Sequence, residues 1–165
     1  MNERDNPQNP AADEREDYLL RTFVRMVDLR GLEIGITLSV GGMLISGTLT
    51  SYSEYLKLVG EGMRGSPNRE VGGVMGEVFA NLAESVQNDL VERRQEEERA
   101  ESSGQELEHD FKPPYIHLRD AKFFLAADMG LPTQGGALWR GKLASVDGFF
   151  FGSFTPPMAP GNPRI

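Results

Sequence analysis

Residues 32–40 alternate between apolar side chains and polar or small ones, and this pattern fixes one part of the chain as a β-strand. Successive side chains of a strand face opposite sides, so the apolar residues from Leu32 to Val40 share one face. Gly41-Gly42 then supplies a short hairpin loop, and a second strand runs from Met43 to about Thr50. The predicted cross-strand pairs are Val40–Met43, Leu38–Ile45, Ile36–Gly47 and Ile34–Leu49. Hydrophobic pattern and turn geometry therefore favour the same register.

A second hairpin is predicted within residues 139–154, around the pair Asp147-Gly148. An Asp-Gly pair tolerates the positive φ angles of a type I′ turn, whose twist matches that of paired strands. This turn places Val146 opposite Phe149, so the ribbon is apolar on both faces near its tip. Such a ribbon needs a cover on its second face, either a helix of the same chain or another molecule.

Three further segments show helical periodicity. Apolar residues recur at three- and four-residue steps over residues 17–29, and Gly31 stops this helix. Ser51 and Glu54 form a capping-box pattern that opens a short second helix, and a third helix begins near Glu70. The apolar stripe of the third helix, which we expect to pack against the sheet, is Val71, Val74, Met75, Val78, Phe79, Leu82, Val86 and Leu90.

Residues 115–125 resemble a further strand, but their apolar parity changes at Arg119-Asp120. A bulge or tight bend at this pair accounts for the change. The predicted fold class is therefore α+β. It is a small twisted antiparallel sheet or partly closed barrel of about five strands, formed by two hairpins plus one strand and packed with two to three helices.

Composition divides the chain into one folded domain with polar flanks. Residues 1–16 indicate a disordered lead, residues 17–155 a single α+β domain, and residues 156–165 a proline-rich tail. Eight of the ten residues over 92–101 are charged, which indicates a charged flexible insertion near residues 92–112.

The charge and residue content exclude several classes of protein. The net charge of −8 is concentrated in acidic flanks, so we expect no DNA partner, because phosphate binding needs a cationic surface. The chain has no cysteine, which excludes disulfides, a thiolate nucleophile and cysteine-ligated metals. No stretch approaches the roughly 18 apolar residues of a membrane helix, so we expect no membrane insertion and a cytoplasmic location.

The sequence carries few signals of catalysis. His117 alternates with Ile116 and Leu118, and no second histidine or cysteine lies at ligand spacing from it. The serines lack a nucleophile-elbow motif, and the glycine clusters do not match a phosphate-binding loop. We therefore predict no catalytic residue, no metal site, no cofactor and no enzymatic activity. A hydrolase that uses His117 with Asp120 remains as a less favoured alternative.

A contact surface is a better match to the side chains of residues 139–154. Trp139, Phe149 and Phe151 are large and apolar, and Arg140 and Lys142 lie beside them in the sequence. Exposed apolar areas usually mark a partner site. We predict an aromatic and basic interaction surface formed by these five residues, although packing of the same aromatic side chains into the core is an alternative.

Three segments of the chain resemble the gas vesicle accessory protein U (GvpU) family. They are the hairpin region 32–55, the strand Tyr115-Ile-His-Leu-Arg-Asp-Ala-Lys122, and the run Trp139-Arg-Gly-Lys-Leu-Ala-Ser-Val-Asp-Gly-Phe-Phe-Phe-Gly152. The third segment is the most specific, since its two motifs, Trp-Arg-Gly-Lys and Val-Asp-Gly-Phe-Phe, come in family order and spacing.

The resemblance implies a non-enzymatic accessory role on assembled gas vesicles, at whose surface the protein modulates clustering or assembly. The implied partners are the gas vesicle shell or other gas vesicle proteins, together with further copies in a homo-oligomer. The residues alone leave a second class of function open. The Gly-x-Leu-Ile-Ser-Gly strand pattern is also typical of a small-barrel, Sm-like RNA-binding module.

Overall fold

The computed structural model describes residues 17–104, 111–124, 130–132 and 134–154. The predicted lead (1–16) and tail (156–165) lie outside the described residues. Three helices and an antiparallel sheet form the fold. The helices are α1 (Tyr18–Arg30), α2 (Tyr52–Arg64) and α3 (Arg69–Ser103). The strands are β1 (Ile34–Val40), β2 (Met43–Leu49), β3 (Tyr115–Phe124), β4 (Gly130–Leu131), β5 (Ala137–Lys142) and β6 (Gly148–Phe151).

The sheet is open, with strand order β4-β3-β2-β1-β6, and β5 also pairs with β3. The short strand β4 therefore shares one edge with β5, while β6 forms the other edge. The predicted α+β class with an antiparallel sheet of about five main strands is confirmed. Because the described sheet does not close, the geometric basis for a small-barrel RNA-binding module is lost.

The β1–β2 hairpin has the register that the alternation of apolar residues predicts. Ile34 pairs with Leu49, and Val40 pairs with Met43. Gly41 and Gly42 adopt φ angles of 57° and 81°, which a two-residue hairpin loop of this hand requires. The side chains of Ile36 and Leu38 are fully buried.

Strand β3 contains the predicted bulge. Asp120 has a φ angle of 53°, and the register against β2 shifts between Ser46 and Thr48. The residue opposite the shift is Gly47, where an added Cβ would lie 2.9 Å from the carbonyl oxygen of Arg119. Glycine at this position therefore lets the bulged backbone approach β2.

The pairing predicted around Asp147-Gly148 is wrong. Strand β5 ends at Lys142, and a short 3₁₀ turn over Leu143–Ser145 follows it. The chain then continues as β6, which pairs with β1 and not with β5. The two halves of the predicted ribbon consequently lie at opposite edges of the sheet.

Pairing of β6 with β1 gives partners to more side chains and backbone groups than a local hairpin would. It sets Phe149 opposite Leu38 and Phe151 opposite Ile36, on the apolar side of the sheet. The backbone groups along this edge of β1 gain partners, which a local hairpin would have left unpaired. Asp147 stabilises the arrangement by accepting a 2.6 Å hydrogen bond from the amide of Gly41.

Helix α1 covers the apolar face of the sheet. Asp17 caps its first turn by accepting a hydrogen bond from the Leu20 amide, and Gly31 ends it with a φ angle of 65°. Leu20, Val24 and Val27 form a continuous buried core with the strands. The periodic apolar stripe of this helix is thus its core-facing side, as predicted.

Helix α3 packs through a different face from the predicted one. Most of the apolar stripe that we expected in the core is exposed. The buried positions include Gly72, Gly76 and Ala83, whose small side chains allow close approach to α2. A Cβ added at Gly76 would lie 3.0 Å from the carbonyl oxygen of Gly60, so the two helices nearly touch through their backbones.

The charged segment that follows continues as helix α3 as far as Ser103. An ion pair between Arg25 and Glu97 links it to α1, and Arg94 and Glu98 form a pair along the helix. Residues 105–110 of the predicted insertion lie outside the described residues. Within the described part of the chain, none of the helices is both long enough and apolar enough to cross a membrane.

Candidate interaction surface

Helix α3 carries an exposed row of apolar side chains, which we call the apolar face of α3. Val71, Val74 and Val78 expose 56%, 59% and 52% of their surface, and the row is completed by Met75 and Leu82. These positions are separated by steps of three and four residues, so they lie together on about three turns of helix.

The apolar face of α3 has defined borders. On one side, the buried glycine positions of α3 pack against α2. On the other side runs a row of exposed glutamates at seven-residue intervals, Glu70, Glu77 and Glu84. Contiguous apolar surface rimmed by polar residues is typical of a partner site on a soluble protein.

The five residues of the predicted interaction surface fall into two groups at opposite edges of the sheet. Trp139, Arg140 and Lys142 belong to β5, whereas Phe149 and Phe151 belong to β6. The structure therefore does not bring all five together, because β5 and β6 do not pair. A binding role for either group stays a prediction.

The aromatic members of both groups contact the protein's own core. Trp139 and Phe149 are partly buried and pack against the central cluster. Phe151 contacts Phe23 of α1, with ring centroids 4.6 Å apart in an edge-to-face arrangement. Helix α1 of the same chain therefore covers part of the Phe151 ring, although Phe150 and Phe151 remain about half exposed.

Arg140 lies beside a cleft between α3, the start of α2 and the strands β3 and β5. Its guanidinium carbon is 3.7 Å from the centroid of the Tyr115 ring. Its Nε donates a 3.3 Å hydrogen bond to Nε2 of His117. The His117 ring in turn stacks on Tyr52, with centroids 4.8 Å apart. The guanidinium carbon of Arg140 also lies 5.6 Å from the centroid of the Tyr52 ring, so this side chain contacts three ring systems.

The cleft has a volume of about 310 Å³ and contains ionisable groups. Asp28 of α1 is buried and accepts a 2.8 Å hydrogen bond from the backbone amide of Tyr52. Asp89 and Arg93 of α3 also line the cleft. Acidic and basic groups thus meet at the junction of all three helices with the sheet.

Burial changes the ionisation of two of these groups. It raises the pKa of Asp28 to about 6, although the hydrogen bond from Tyr52 acts in the opposite direction. Burial also lowers the pKa of His117 to about 3, and the positive charge of Arg140 adds to this effect. At neutral pH the imidazole is therefore neutral, while Asp28 is mostly ionised.

The arrangement does not support the hydrolase alternative. His117 lines the cleft described above, whereas Asp120 lines a separate pocket on the far part of β3. Nε2 of His117 is occupied by Arg140, which has no proton-accepting atom. Among the described residues, no group of three or more histidine, cysteine, aspartate or glutamate side chains could hold a metal ion.

Comparison with known protein families identifies the chain. A profile described as gas vesicle protein GvpU-like matches residues 17–154, which include all three helices and all six strands. The chain belongs to the GvpU-like family. No curated protein and no solved structure matches it. The resemblance seen in the three sequence segments is thereby confirmed, and the match covers all of residues 17–154. Membership in this family implies a gas-vesicle-associated protein.

Two features of this GvpU-like chain were not predicted, although the sequence contains a pattern that indicates each of them. They are the exposed valine row of α3 and the buried Asp28. The glycines at positions 72 and 76 lie on one side of α3, which indicates close helix packing on that side and exposure of the valine row. Asp28 follows Val24 by four residues, which places it on the buried side of α1. A carboxylate at a core-facing helical position indicates a buried group whose pKa is raised.

Proposed function

We propose that this protein is a non-enzymatic gas vesicle accessory protein, located in the cytoplasm at the vesicle surface. In this proposal it associates with gas vesicles or with other copies of itself, and so modulates vesicle clustering or assembly. Family membership supports the link to gas vesicles. Association as the mode of action is supported by the apolar face of α3, which is exposed and flanked by a row of glutamates.

The composition of this face favours association through apolar burial. Covering three valine side chains removes apolar surface from water, which stabilises a complex without any need for opposite charges. Salt screens contacts between exposed charges but not the burial of apolar surface. Binding through this face should therefore persist as the salt concentration is raised.

A flotation assay tests the proposal. Purified gas vesicles rise through the buffer, and the fraction of protein that rises with them measures association. We expect the wild-type chain to rise with the vesicles at low and at high salt. The double substitution Val74→Glu with Val78→Glu should reduce the bound fraction at least about tenfold, because two buried apolar contacts become buried charges.

The matched control is the double substitution Asn88→Glu with Gln95→Glu. It adds the same two charges to exposed positions of α3 outside the apolar face. We expect this variant to bind like the wild type. Equal loss of binding in both variants would show that net charge matters and the apolar face does not, and failure of the wild type to rise would reject vesicle association.

Light scattering at two protein concentrations measures the second form of association. If copies pair through the apolar face of α3, the mean mass of the wild type rises with concentration. The Val74→Glu, Val78→Glu variant should then remain at the mass of one chain. A concentration-independent single-chain mass for the wild type would rule out self-association and leave the vesicle as the partner.

A further inference from the structure

His117, which lines the cleft at the junction of the helices and the sheet, has a buried hydrogen-bond donor without a partner among the described residues. Arginine only donates, so Nε2 of His117 must carry a lone pair to accept the bond from Arg140. The neutral imidazole consequently carries its proton on Nδ1. This nitrogen is buried and has no hydrogen-bond partner within the described part of the chain. A buried N–H of this kind costs free energy until an acceptor reaches it.

Two arginines at the same cleft also lack acidic partners. The guanidinium carbon of Arg140 lies 3.7 Å from the centroid of the Tyr115 ring and 5.6 Å from that of Tyr52, and its one hydrogen bond to a described residue uses Nε. Arg93 lies over the ring of Phe111, 5.1 Å from its centroid. Neither guanidinium forms an ion pair with any residue that the structure describes. Their remaining N–H groups are therefore available to oxygen acceptors.

The remaining walls of the cleft are largely apolar. They include Val86 and Leu90 of α3 and the pair Pro113-Pro114. A volume of about 310 Å³ lies at the lower end of the range of pockets that hold small molecules. The cleft thus combines an apolar cavity with N–H donors at one side.

We propose that this cleft binds a small organic anion, which is a carboxylate or phosphate carried on an apolar or aromatic body. The anionic oxygens meet the free N–H groups of Arg140 and Arg93, because guanidinium groups bind such oxygens in a fork. The body of the ligand packs between Leu90, Pro113 and the Tyr115 ring. Nδ1 of His117 supplies a further donor to an oxygen deeper in the cleft.

Asp28, at the buried side of the cleft, gives this binding a direction with pH. Asp28 accepts the hydrogen bond from Tyr52 of α2 and shares the lining of the cleft with four other ionisable groups: Asp89 and Arg93 of α3, the neutral ring of His117 on β3 and Arg140 on β5. Its protonation removes a negative charge that repels the ligand. We expect the affinity for a carboxylate such as benzoate, which stays ionised in this range, to rise several-fold as the pH falls through about 6. Asp28→Asn should bind more tightly at neutral pH and lose this dependence.

The test uses three probes of similar shape and different charge: benzoate, phenyl phosphate and the neutral benzyl alcohol. Binding is followed by NMR as shifts of the His117 ring and the Arg140 side chain in the full-length protein. We expect both anions to shift these signals and the alcohol to bind at least about tenfold more weakly. A stronger response to one anion identifies the charged group preferred. Equal binding of the alcohol, or no response to either anion, would overturn the proposal.

Matched substitutions locate the site. Arg140→Met should weaken benzoate binding about tenfold or more, because it removes the charge and the hydrogen-bond donors. If Arg140→Met does not fold, Arg93→Met gives the same test on an exposed helical position. Arg69→Met, which is exposed at the start of α3 and outside the cleft, is the control and should bind like the wild type. Unchanged binding in both cleft variants would place the anion elsewhere and reject the site.

Discussion

Replacement of Asp28 by asparagine is expected to stabilise the protein at neutral pH and to make it sensitive to acid. Burial raises the pKa of Asp28 from 3.8 to about 6, so ionisation of this group opposes folding above that pH. Asparagine keeps an oxygen that can accept the hydrogen bond from the Tyr52 amide and carries no charge. We expect the free energy of unfolding of Asp28→Asn at neutral pH to exceed that of the wild type by about 2–3 kcal/mol.

The acid sensitivity comes from His117, whose pKa is lowered from 6.5 to about 3. Between these values the unfolded chain binds a proton at this residue and the native chain does not, so stability falls as the pH falls. For Asp28 the native state holds the extra proton between pH 3.8 and about 6, so its contribution to stability is lost as the pH rises through that window. In the wild type the two slopes therefore offset each other.

Urea unfolding between about pH 4 and pH 6 measures this balance. For the Asp28–His117 pair, we expect a nearly flat profile in the wild type. In Asp28→Asn the free energy of unfolding should fall by about 1.4 kcal/mol for each pH unit of acidification. The control is Glu84→Gln, which removes an exposed carboxylate of α3 outside the cleft and should leave the profile like that of the wild type. An Asp28→Asn profile parallel to that of the wild type would contradict the opposing titrations.

The second large effect is expected where α2 and α3 meet. A Cβ added at Gly72 would lie 2.4 Å from the backbone carbonyl oxygen of Met63, which cannot move without shifting α2. We expect Gly72→Ala to lower the free energy of unfolding by about 1–3 kcal/mol, as overpacking does in a close interface. Thermal or urea unfolding measures the change.

The next residue supplies the control for this substitution. Gly73 is exposed on the same turn of α3, and nothing lies within 4 Å of a Cβ added there. Gly73→Ala should raise stability by up to about 1 kcal/mol, because alanine has the higher helix propensity. A lower free energy of unfolding in Gly72→Ala and a higher one in Gly73→Ala would reflect the packing of Gly72 against α2. The same sign in both would show that the two helices do not approach through Gly72.

Local patterns explain which parts of the fold the sequence predicts well. The β1–β2 register follows from alternation and from Gly41-Gly42, all within one short segment. The bulge at Asp120 follows from a change of parity inside a single strand. Both features are set by neighbouring residues, so they do not depend on where other elements lie.

Long-range pairing explains the main error. The Asp147-Gly148 signal describes the preference of an isolated segment, whereas the final pairing depends on the unpaired edge of β1, more than a hundred residues earlier. No local pattern encodes that competition. Pairing with β1 also places Phe151 against Phe23 of α1, which a local ribbon could not do.

Periodicity correctly groups the apolar residues of α3 on one stripe, but the packing of this stripe against the sheet, which we expected from it, is wrong. A helical repeat shows that apolar residues share a face, but burial depends on which neighbour covers it. Here the small residues around Gly72 and Gly76 form the contact with α2, and the valine row is left outside. The cleft around Asp28 could not be predicted because it joins residues from five separate elements.

Site-specific labelling tests most directly whether the apolar face of α3 is the contact surface. The chain contains no cysteine, so Val78→Cys introduces a single thiol into the apolar face, and Gln95→Cys places one on the same helix outside it. The rate of maleimide labelling is compared between free protein and protein bound to floated vesicles. We predict that binding protects Cys-substituted position 78 at least about tenfold and leaves position 95 unchanged. Equal labelling of the Val78→Cys variant in the free and bound states would contradict the claim.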